Sequence, residues 1–135
     1  MPKVVWFSGF SVKIESFDNE HKGLIDMLNT LYDAITIGKD NNVLPNILQE
    51  LMVYTETHFK NEERAFERYN YPKYVEHKKE HDDFIKQLED FYEKFSEGKA
   101  SLSVDVFNMV HEWVKNHMMQ SDKEYSGFLY NAGVR

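Results

Sequence analysis

The chain has 135 residues, no cysteine, twenty aromatic residues (ten Phe, eight Tyr, two Trp) and a net charge of −7; these values predict one domain with a sizeable core and exclude disulfides, thiolate metal sites and cysteine nucleophiles. The acidic balance, without a run of Lys or Arg, argues against nucleic acid and anionic membranes as partners. No apolar run approaches the roughly 20 residues of a membrane span and no secretory signal is recognisable, so we expect a cytoplasmic protein, and we expect this short acidic chain to be monomeric.

Four amphipathic helices are predicted, because apolar residues recur along the chain at helical spacing. In chain order, the predicted elements are an extended N-terminal arm over residues 1–17, helices over about 18–37, 44–70, 72–97 and 103–120, and a short C-terminal tail. Short connections between helices of this length are typical of an antiparallel up-down-up-down bundle. We therefore predict an all-α fold in which residues 1–135 form a single four-helix domain.

Several polar residues lie on the inward stripes of these helices. His58 follows Leu51 by seven residues, and Glu62 lies four residues further on the same face. His77 and His81 precede two apolar core positions by seven residues each. The full inward set is His21, His58, Glu62, His77, His81 and His117. Burial of such groups costs free energy unless a partner satisfies them.

These inward residues also share one level of the predicted bundle. Helices one and three run one way and helices two and four return, so a rise of about 1.5 Å per residue places all six in the same end-third. We interpret this convergence as a metal site. The remaining histidine, His111, precedes His117 by six residues, about 120° away around an ideal helix, so we expect it on the surface.

The ligand types indicate which metals suit the site. Imidazole and carboxylate without sulfur favour iron, zinc, manganese or copper over calcium or magnesium. Five imidazoles exceed the needs of one four-coordinate zinc, so two ions that share carboxylate bridges fit better. Glu62 is one candidate bridge, and Asp122 is the candidate from helix four. Asp122 follows His117 by five residues, about 140° away in an ideal helix, so it reaches the site only if the helix loosens or ends there.

Four segments together resemble the hemerythrin family in its bacterial single-domain form. They are DNEHKGL (18–24), HFKNEE (58–63), HKKEH (77–81) and HEWVKNHMMQSDKEY (111–125). The arm, with a Trp followed by FSV, is similar to the start of that family's domain. The resemblance spans all four predicted helices and fills every position of the family's ligand pattern in order and spacing.

The resemblance implies a non-haem di-iron site, bridged by an oxo or hydroxo group, that binds dioxygen reversibly. It implies that His77, His81 and His117 hold one iron. His21 and His58 would hold the other iron, which keeps an open position. Glu62 and Asp122 would bridge the two ions. Dioxygen is then the expected ligand, whereas the sequence identifies no protein acceptor for it.

Apolar neighbours of the ligands complete the expected site. The predicted dioxygen pocket consists of Leu24, Phe59, Trp113, Val114 and Met118. At Val114 the family commonly has a larger aliphatic residue, and we expect the smaller side chain to leave more room and to speed autoxidation. Tyr125 either donates a hydrogen bond near a bridging carboxylate or only packs.

Alternative functions use the same site. A ferritin-like oxidase is disfavoured, because such bundles carry Glu-x-x-His and no histidine here has Glu three residues before it. A sensor of dioxygen, nitric oxide or redox state, or a weak peroxidase or oxidase, remains an alternative. We favour a dioxygen-binding protein over an enzyme.

Overall fold

The computed structural model describes residues 5–37, 44–98 and 104–134 of the chain. The predicted connection over residues 38–43, most of the predicted connection over residues 98–102 and the predicted start of the fourth helix at residue 103 lie outside the described residues. Among the described residues there is no β-strand. None of the helices described is long and apolar enough to cross a membrane.

Helices account for nearly all of the described chain. The elements are a 3-10 turn at Ser8–Phe10, α1 Glu15–Ile37, α2 Leu44–Tyr69, α3 Tyr74–Ser96, α4 Val104–Asn116, a π-helical segment at His117–Ser121, and α5 Asp122–Asn131. α1 packs against α2 and α4, and α2 packs against α3. α4, the π-helical segment and α5 follow one another directly and form the fourth long helix. The all-α four-helix bundle predicted from the periodicity is confirmed.

The helix boundaries differ from the prediction by more than two residues at two places. α1 begins at Glu15, inside the predicted arm, and the predicted short tail is the ten-residue helix α5. The carboxylate of Asp18 explains the earlier start, because it accepts hydrogen bonds from the backbone nitrogen of Val12 at 2.8 Å and the hydroxyl of Ser11 at 2.6 Å. This carboxylate therefore fixes the arm at the first turn of the helix, where negative charge is favourable.

The arm is also tied to α5. Lys123 donates from Nζ to the carbonyl oxygen of Ser11, and the hydroxyl of Ser126 donates to the carbonyl oxygen of Val12 at 2.7 Å. Val12 and Ile14 are fully buried. The arm thus closes one end of the bundle.

Two separate apolar clusters form the core. The larger cluster, built around Leu28, Leu48 and Leu88, fills the middle of the bundle. The smaller cluster, around Phe66 and Tyr125, lies under the arm. Every long helix contributes to both clusters, and the buried histidines and acids, apart from His111, lie close to the boundary between the two. A buried polar layer therefore separates two apolar regions.

Candidate metal centre

The polar layer contains all seven side chains predicted as ligands, and each of them is at least 95% buried. Their ligand atoms form two groups, within each of which all atoms lie within 4.8 Å of one another. One group is His21, His58, Glu62 and Asp122, and the other is Glu62, His77, His81, His117 and Asp122. Both carboxylates belong to both groups.

Glu62 presents one oxygen to each group. Its Oε2 lies 3.1 Å from Nε2 of His58 and 3.4 Å from Nε2 of His21. Its Oε1 lies 3.2 Å from Nε2 of His81 and 3.7 Å from Nε2 of His77. The two oxygens therefore face opposite ways, as in a carboxylate that bridges two metal ions.

Asp122 is arranged in the same way. Its Oδ2 lies 3.1 Å from Nε2 of His21. Its Oδ1 lies 3.0 Å from Nε2 of His77 and 3.0 Å from Nε2 of His117. The five imidazoles are thus divided into a pair and a trio by two carboxylates.

A π-helical turn brings Asp122 into this layer. Residues His117–Ser121 are π-helical, and the backbone N–H of Asp122 donates to the carbonyl oxygen of His117 five residues earlier. This wider turn places residues five apart on one side of the helix, which an α-helix does not. We predicted that Asp122 reaches the site only if the helix loosens or ends before it. The local change from α-helix to π-helix is such a loosening.

The polar atoms of this layer fit a metal pair and do not satisfy one another. Nε2 of His21, His58 and His77, both oxygens of Asp122 and Oε1 of Glu62 are buried and make no well-aligned hydrogen bond in the described structure, although the imidazole nitrogens approach the carboxylate oxygens to 3.0–3.7 Å. Nε2 of His81 lies 3.0 Å from Nε2 of His117, so the two imidazoles direct the same ring nitrogen into the layer. Buried polar atoms are normally satisfied, and a metal ion within each of the two groups would satisfy these.

Three further carboxylates, which the sequence reasoning missed, contact the outer nitrogens of the ligand imidazoles. Nδ1 of His58 lies 2.5 Å from Oε1 of Glu20. Nδ1 of His81 lies 2.7 Å from Oε2 of Glu63, and Nδ1 of His117 lies 3.2 Å from Oε1 of Glu80. The available signal was adjacency, because each of these glutamates is next in sequence to a predicted ligand.

The buried imidazoles and carboxylates of the layer shift one another's pKa values. Burial opposes protonation of His58 and His117, yet the neighbouring carboxylates raise the pKa of each imidazole to about 10. Burial also opposes ionisation of Glu62, but the nearby imidazoles, His58 foremost, hold the pKa of its carboxyl well below the usual range. A metal ion that binds here would therefore displace protons from the imidazoles.

A small cavity adjoins the layer. It is lined by His21, Leu24, His58, Phe59, Trp113, Val114, His117, Met118 and Asp122. The five residues predicted for the pocket are all among them. The cavity volume, measured for the centre of a water-sized sphere, is about 10 Å³, which is about the room that one water molecule needs.

Aromatic rings hold two of the ligand imidazoles in place. The ring of Phe59 stacks on that of His81, with the centroids 3.7 Å apart and the planes 2° from parallel. The indole of Trp113 stacks on His117 at 4.5 Å and on Phe84 at 3.8 Å. These contacts restrict rotation of the imidazoles on the side of the larger apolar cluster.

Tyr125 makes the hydrogen bond that the sequence left open. Its hydroxyl donates to Oε2 of Glu62 at 2.5 Å, and its side chain is fully buried. Burial and the adjacent carboxylates raise the pKa of this phenol well above its usual value. Tyr125 therefore remains a hydrogen-bond donor to Glu62.

The expectation of a surface position for His111 is wrong. This residue is 7% exposed, and its ring lies 5.7 Å from that of Phe107, one helical turn earlier. Because Phe107 is fully buried, the buried face of α4 is wider than the stripe that leads to His117. His111 occupies that wider face and takes no part in either ligand group.

Comparisons with known proteins agree with this arrangement. The sequence profile described as Hemerythrin HHE cation binding domain matches residues 12–129. Bacteriohemerythrin of Methylococcus capsulatus is 31% identical over 130 residues, which cover 96% of this chain and 98% of that protein. Myohemerythrin of Theromyzon tessulatum is 32% identical over 124 residues, or 92% of each chain. A crystal structure of wild-type hemerythrin superposes with a TM-score of 0.90 at 30% identity and covers 95% of this chain and 98% of the other. This chain therefore belongs to the hemerythrin family.

Proposed function

We propose that this protein binds dioxygen reversibly at a pair of non-haem iron ions. The proposed ligands are His77, His81 and His117 for one ion and His21 and His58 for the other. Glu62 and Asp122 would bridge the two. The named relatives, a bacteriohemerythrin and a myohemerythrin, support this function for a chain that they match over nearly its whole length.

The observation that carries the proposal is the division of each buried carboxylate between the two groups of imidazoles. Glu62 and Asp122 each offer one oxygen to the pair and the other oxygen to the trio. One isolated ion would leave either the pair or the trio of buried imidazoles unused. Iron suits a set of imidazole and carboxylate ligands without sulfur, and an iron pair supplies the electrons that reversible dioxygen binding requires.

The two groups differ in a way that supports an open position at His21 and His58. The trio and the two carboxylates give one ion five protein ligands, whereas the pair gives the other ion four. Both His21 and His58 line the small cavity. His117 of the trio also lines the cavity, but both imidazoles of the four-ligand group do so, which supports an open coordination position at the ion of that group.

The size and lining of the cavity favour binding over catalysis. Leu24, Phe59, Val114 and Met118 make one wall apolar and keep bulk water away from the ligands. The volume of the cavity that is open to the centre of a water-sized sphere is about 10 Å³. A cavity of this size suits a diatomic molecule and has no room for an organic substrate. We therefore propose a dioxygen-binding protein, not an oxidase.

Visible spectroscopy of the iron-loaded protein tests this function. Reduced protein is exposed to dioxygen and then returned to argon, and iron is quantified in the same sample. We expect two iron ions per chain, and an absorption band that appears with dioxygen and disappears under argon. Oxidation that argon does not reverse, accompanied by turnover of a reducing substrate, would show an enzyme instead. Protein loaded with zinc is the control and should give no band.

A further inference from the structure

The three outer carboxylates follow a regular pattern around the bundle. Glu20 on α1 contacts His58 on α2, and Glu63 on α2 contacts His81 on α3. Glu80 on α3 contacts His117 at the start of the π-helical segment. Each of α1, α2 and α3 therefore offers a carboxylate to a metal-ligand imidazole of the next helix in the chain.

Two of these carboxylates are themselves held in position. Oε2 of Glu20 accepts a hydrogen bond from the amide of Asn61 at 2.9 Å, and the amide oxygen of Asn61 accepts from Arg64 at 3.1 Å. Oε1 of Glu80, which contacts His117, also accepts from the hydroxyl of Ser121 at 2.6 Å. These hydrogen bonds fix the carboxylates of Glu20 and Glu80 against the imidazoles, which a chance contact between neighbouring side chains would not require.

A carboxylate at the outer nitrogen of an imidazole affects how that imidazole binds a metal ion. When Nδ1–H donates to a carboxylate, the proton stays on Nδ1 and the lone pair of Nε2 is directed at the metal. The carboxylate also makes the imidazole a stronger electron donor. In this chain the Nε2 atoms of His58, His81 and His117 all point into the layer, while Nδ1 of each contacts a glutamate.

His21 provides an internal contrast. It is fully buried, yet its Nδ1 has no hydrogen-bond partner among the described residues. The imidazole pair of the proposed open ion is therefore backed by one outer carboxylate, on His58, whereas the trio has two, on His81 and His117. The backing is selective, which argues against a general effect of an acidic protein.

We propose that Glu20, Glu63 and Glu80 are positioning residues of the metal pair, each of which fixes a ligand imidazole of the next helix and strengthens it as an electron donor. This inference rests on the proposed function, because it concerns the same metal pair. Glu20 acts on the ion of His21 and His58, and Glu63 and Glu80 act on the other ion. We expect Glu63 to have a larger effect on its imidazole than Glu80, because Glu80 is 45% exposed and Glu63 only 14%. Solvent weakens the interactions of exposed charges.

Titration of the metal-free protein with Co²⁺ tests the assignment. Wild type is compared with Glu20→Gln, Glu63→Gln and Glu80→Gln, which keep the side-chain shape and remove the charge. We expect two Co²⁺ per chain for wild type and about a tenfold or larger loss of affinity for one ion in Glu20→Gln and Glu63→Gln, with a smaller loss in Glu80→Gln. In the double variant Glu63→Gln/Glu80→Gln one ion keeps its wild-type affinity, whereas in Glu20→Gln/Glu63→Gln neither does.

The reduction midpoint potential of the iron-loaded variants is the second measurement. A weaker electron donor should raise the potential in each Gln variant, an effect that a purely structural contact would not produce. Glu56→Gln is the matched control, because Glu56 is an exposed carboxylate of α2 that pairs with Lys60 at 3.2 Å, and it should change neither affinity nor potential. The surface position of Glu80 keeps the test available if Glu63→Gln does not fold.

The possible failures of the two proposals are distinguishable. If wild type binds two Co²⁺ and the Gln variants match it in affinity and potential, the positioning role is wrong and the metal pair stands. The same holds if Glu56→Gln loses as much affinity as the others. If wild type itself binds fewer than two ions, the proposed function is wrong.

Discussion

The buried polar layer and the larger apolar cluster occupy the same four helices but hold them together in different ways. Around Leu28, Leu48 and Leu88, side chains that are 1% exposed pack against other apolar side chains, and burial of apolar surface stabilises the helices directly. In the layer around Glu62 and Asp122, buried atoms lack hydrogen bonds, which costs free energy unless ions are bound. The apolar cluster can therefore specify the bundle, whereas the layer depends on what it binds.

Loss of a bridging carboxylate should have the largest effect on iron content and on the free energy of unfolding. Glu62→Ala removes a ligand from both groups and leaves the surrounding imidazoles without their shared anion. We expect the iron content to fall from two per chain to less than one. The free energy of unfolding of the metal-free protein should fall by about 3 kcal/mol or more, as when one partner of a buried ion pair is removed. Metal analysis and denaturant unfolding measure the two quantities.

The control for Glu62→Ala is Asp83→Asn, which alters an exposed carboxylate paired with Lys79. It should retain both ions and wild-type stability. Retention of two iron ions by Glu62→Ala would contradict the bridging role.

A cavity in the apolar cluster should destabilise the protein without affecting the metal. Leu48 lies ten residues before His58 on α2, about 15 Å along the helix. Leu48→Ala should cost about 2–5 kcal/mol, and the cost should be equal in metal-free and iron-loaded protein. Ile37→Ala, at a residue 72% exposed, serves as the control. Loss of iron from Leu48→Ala would mean that the two regions do not act independently.

Tyr125 joins the layer to the smaller apolar cluster, and its hydroxyl should have an intermediate effect. Tyr125→Phe removes the hydrogen bond to Glu62 and leaves the ring in place. We expect a loss of about 1.5–3 kcal/mol, the usual range for a hydrogen bond to a charged group. Chemical denaturation measures it, with Tyr92→Phe at a half-buried position of α3 as the comparison. An unchanged free energy of unfolding would assign Tyr125 to packing alone.

Val114 should show the smallest effect, confined to kinetics. It lines the cavity beside the proposed open ion, and the extra methylene of Val114→Leu would occupy part of that space. We expect the oxygenated protein to autoxidise more slowly. The rate at which its visible band decays measures this reaction. Met109→Leu, on the exposed side of the same helix, should decay like wild type. Equal decay of Val114→Leu and wild type would rule out a role for the size of this residue.

Much of the difference between the polar layer and the apolar cluster could be predicted from the sequence, because helical periodicity shows which face of a helix each side chain occupies. The spacing of four between His58 and Glu62, and between His77 and His81, needs only an ordinary α-helix, and both pairs face the layer in the structure. Apolar residues at the same spacing predicted the helices themselves. These features are local and follow from one periodicity.

The features that periodicity could not provide depend on contacts between helices or on a change of helix type. The π-helical turn before Asp122 breaks the spacing rule on which the prediction rested. His111 was misplaced because α4 buries a wider face than one stripe. Glu20 and Glu80 lie on the flanks of their own helices, and only the packing of the next helix shows that they contact an imidazole.

Crystallography of the iron-loaded protein, with anomalous scattering measured at the iron edge, tests the central claim most directly. The account predicts two iron peaks in the layer, one beside His21 and His58 and one beside His77, His81 and His117, with Glu62 and Asp122 each in contact with both. A single peak, or iron bound outside the layer, would contradict it.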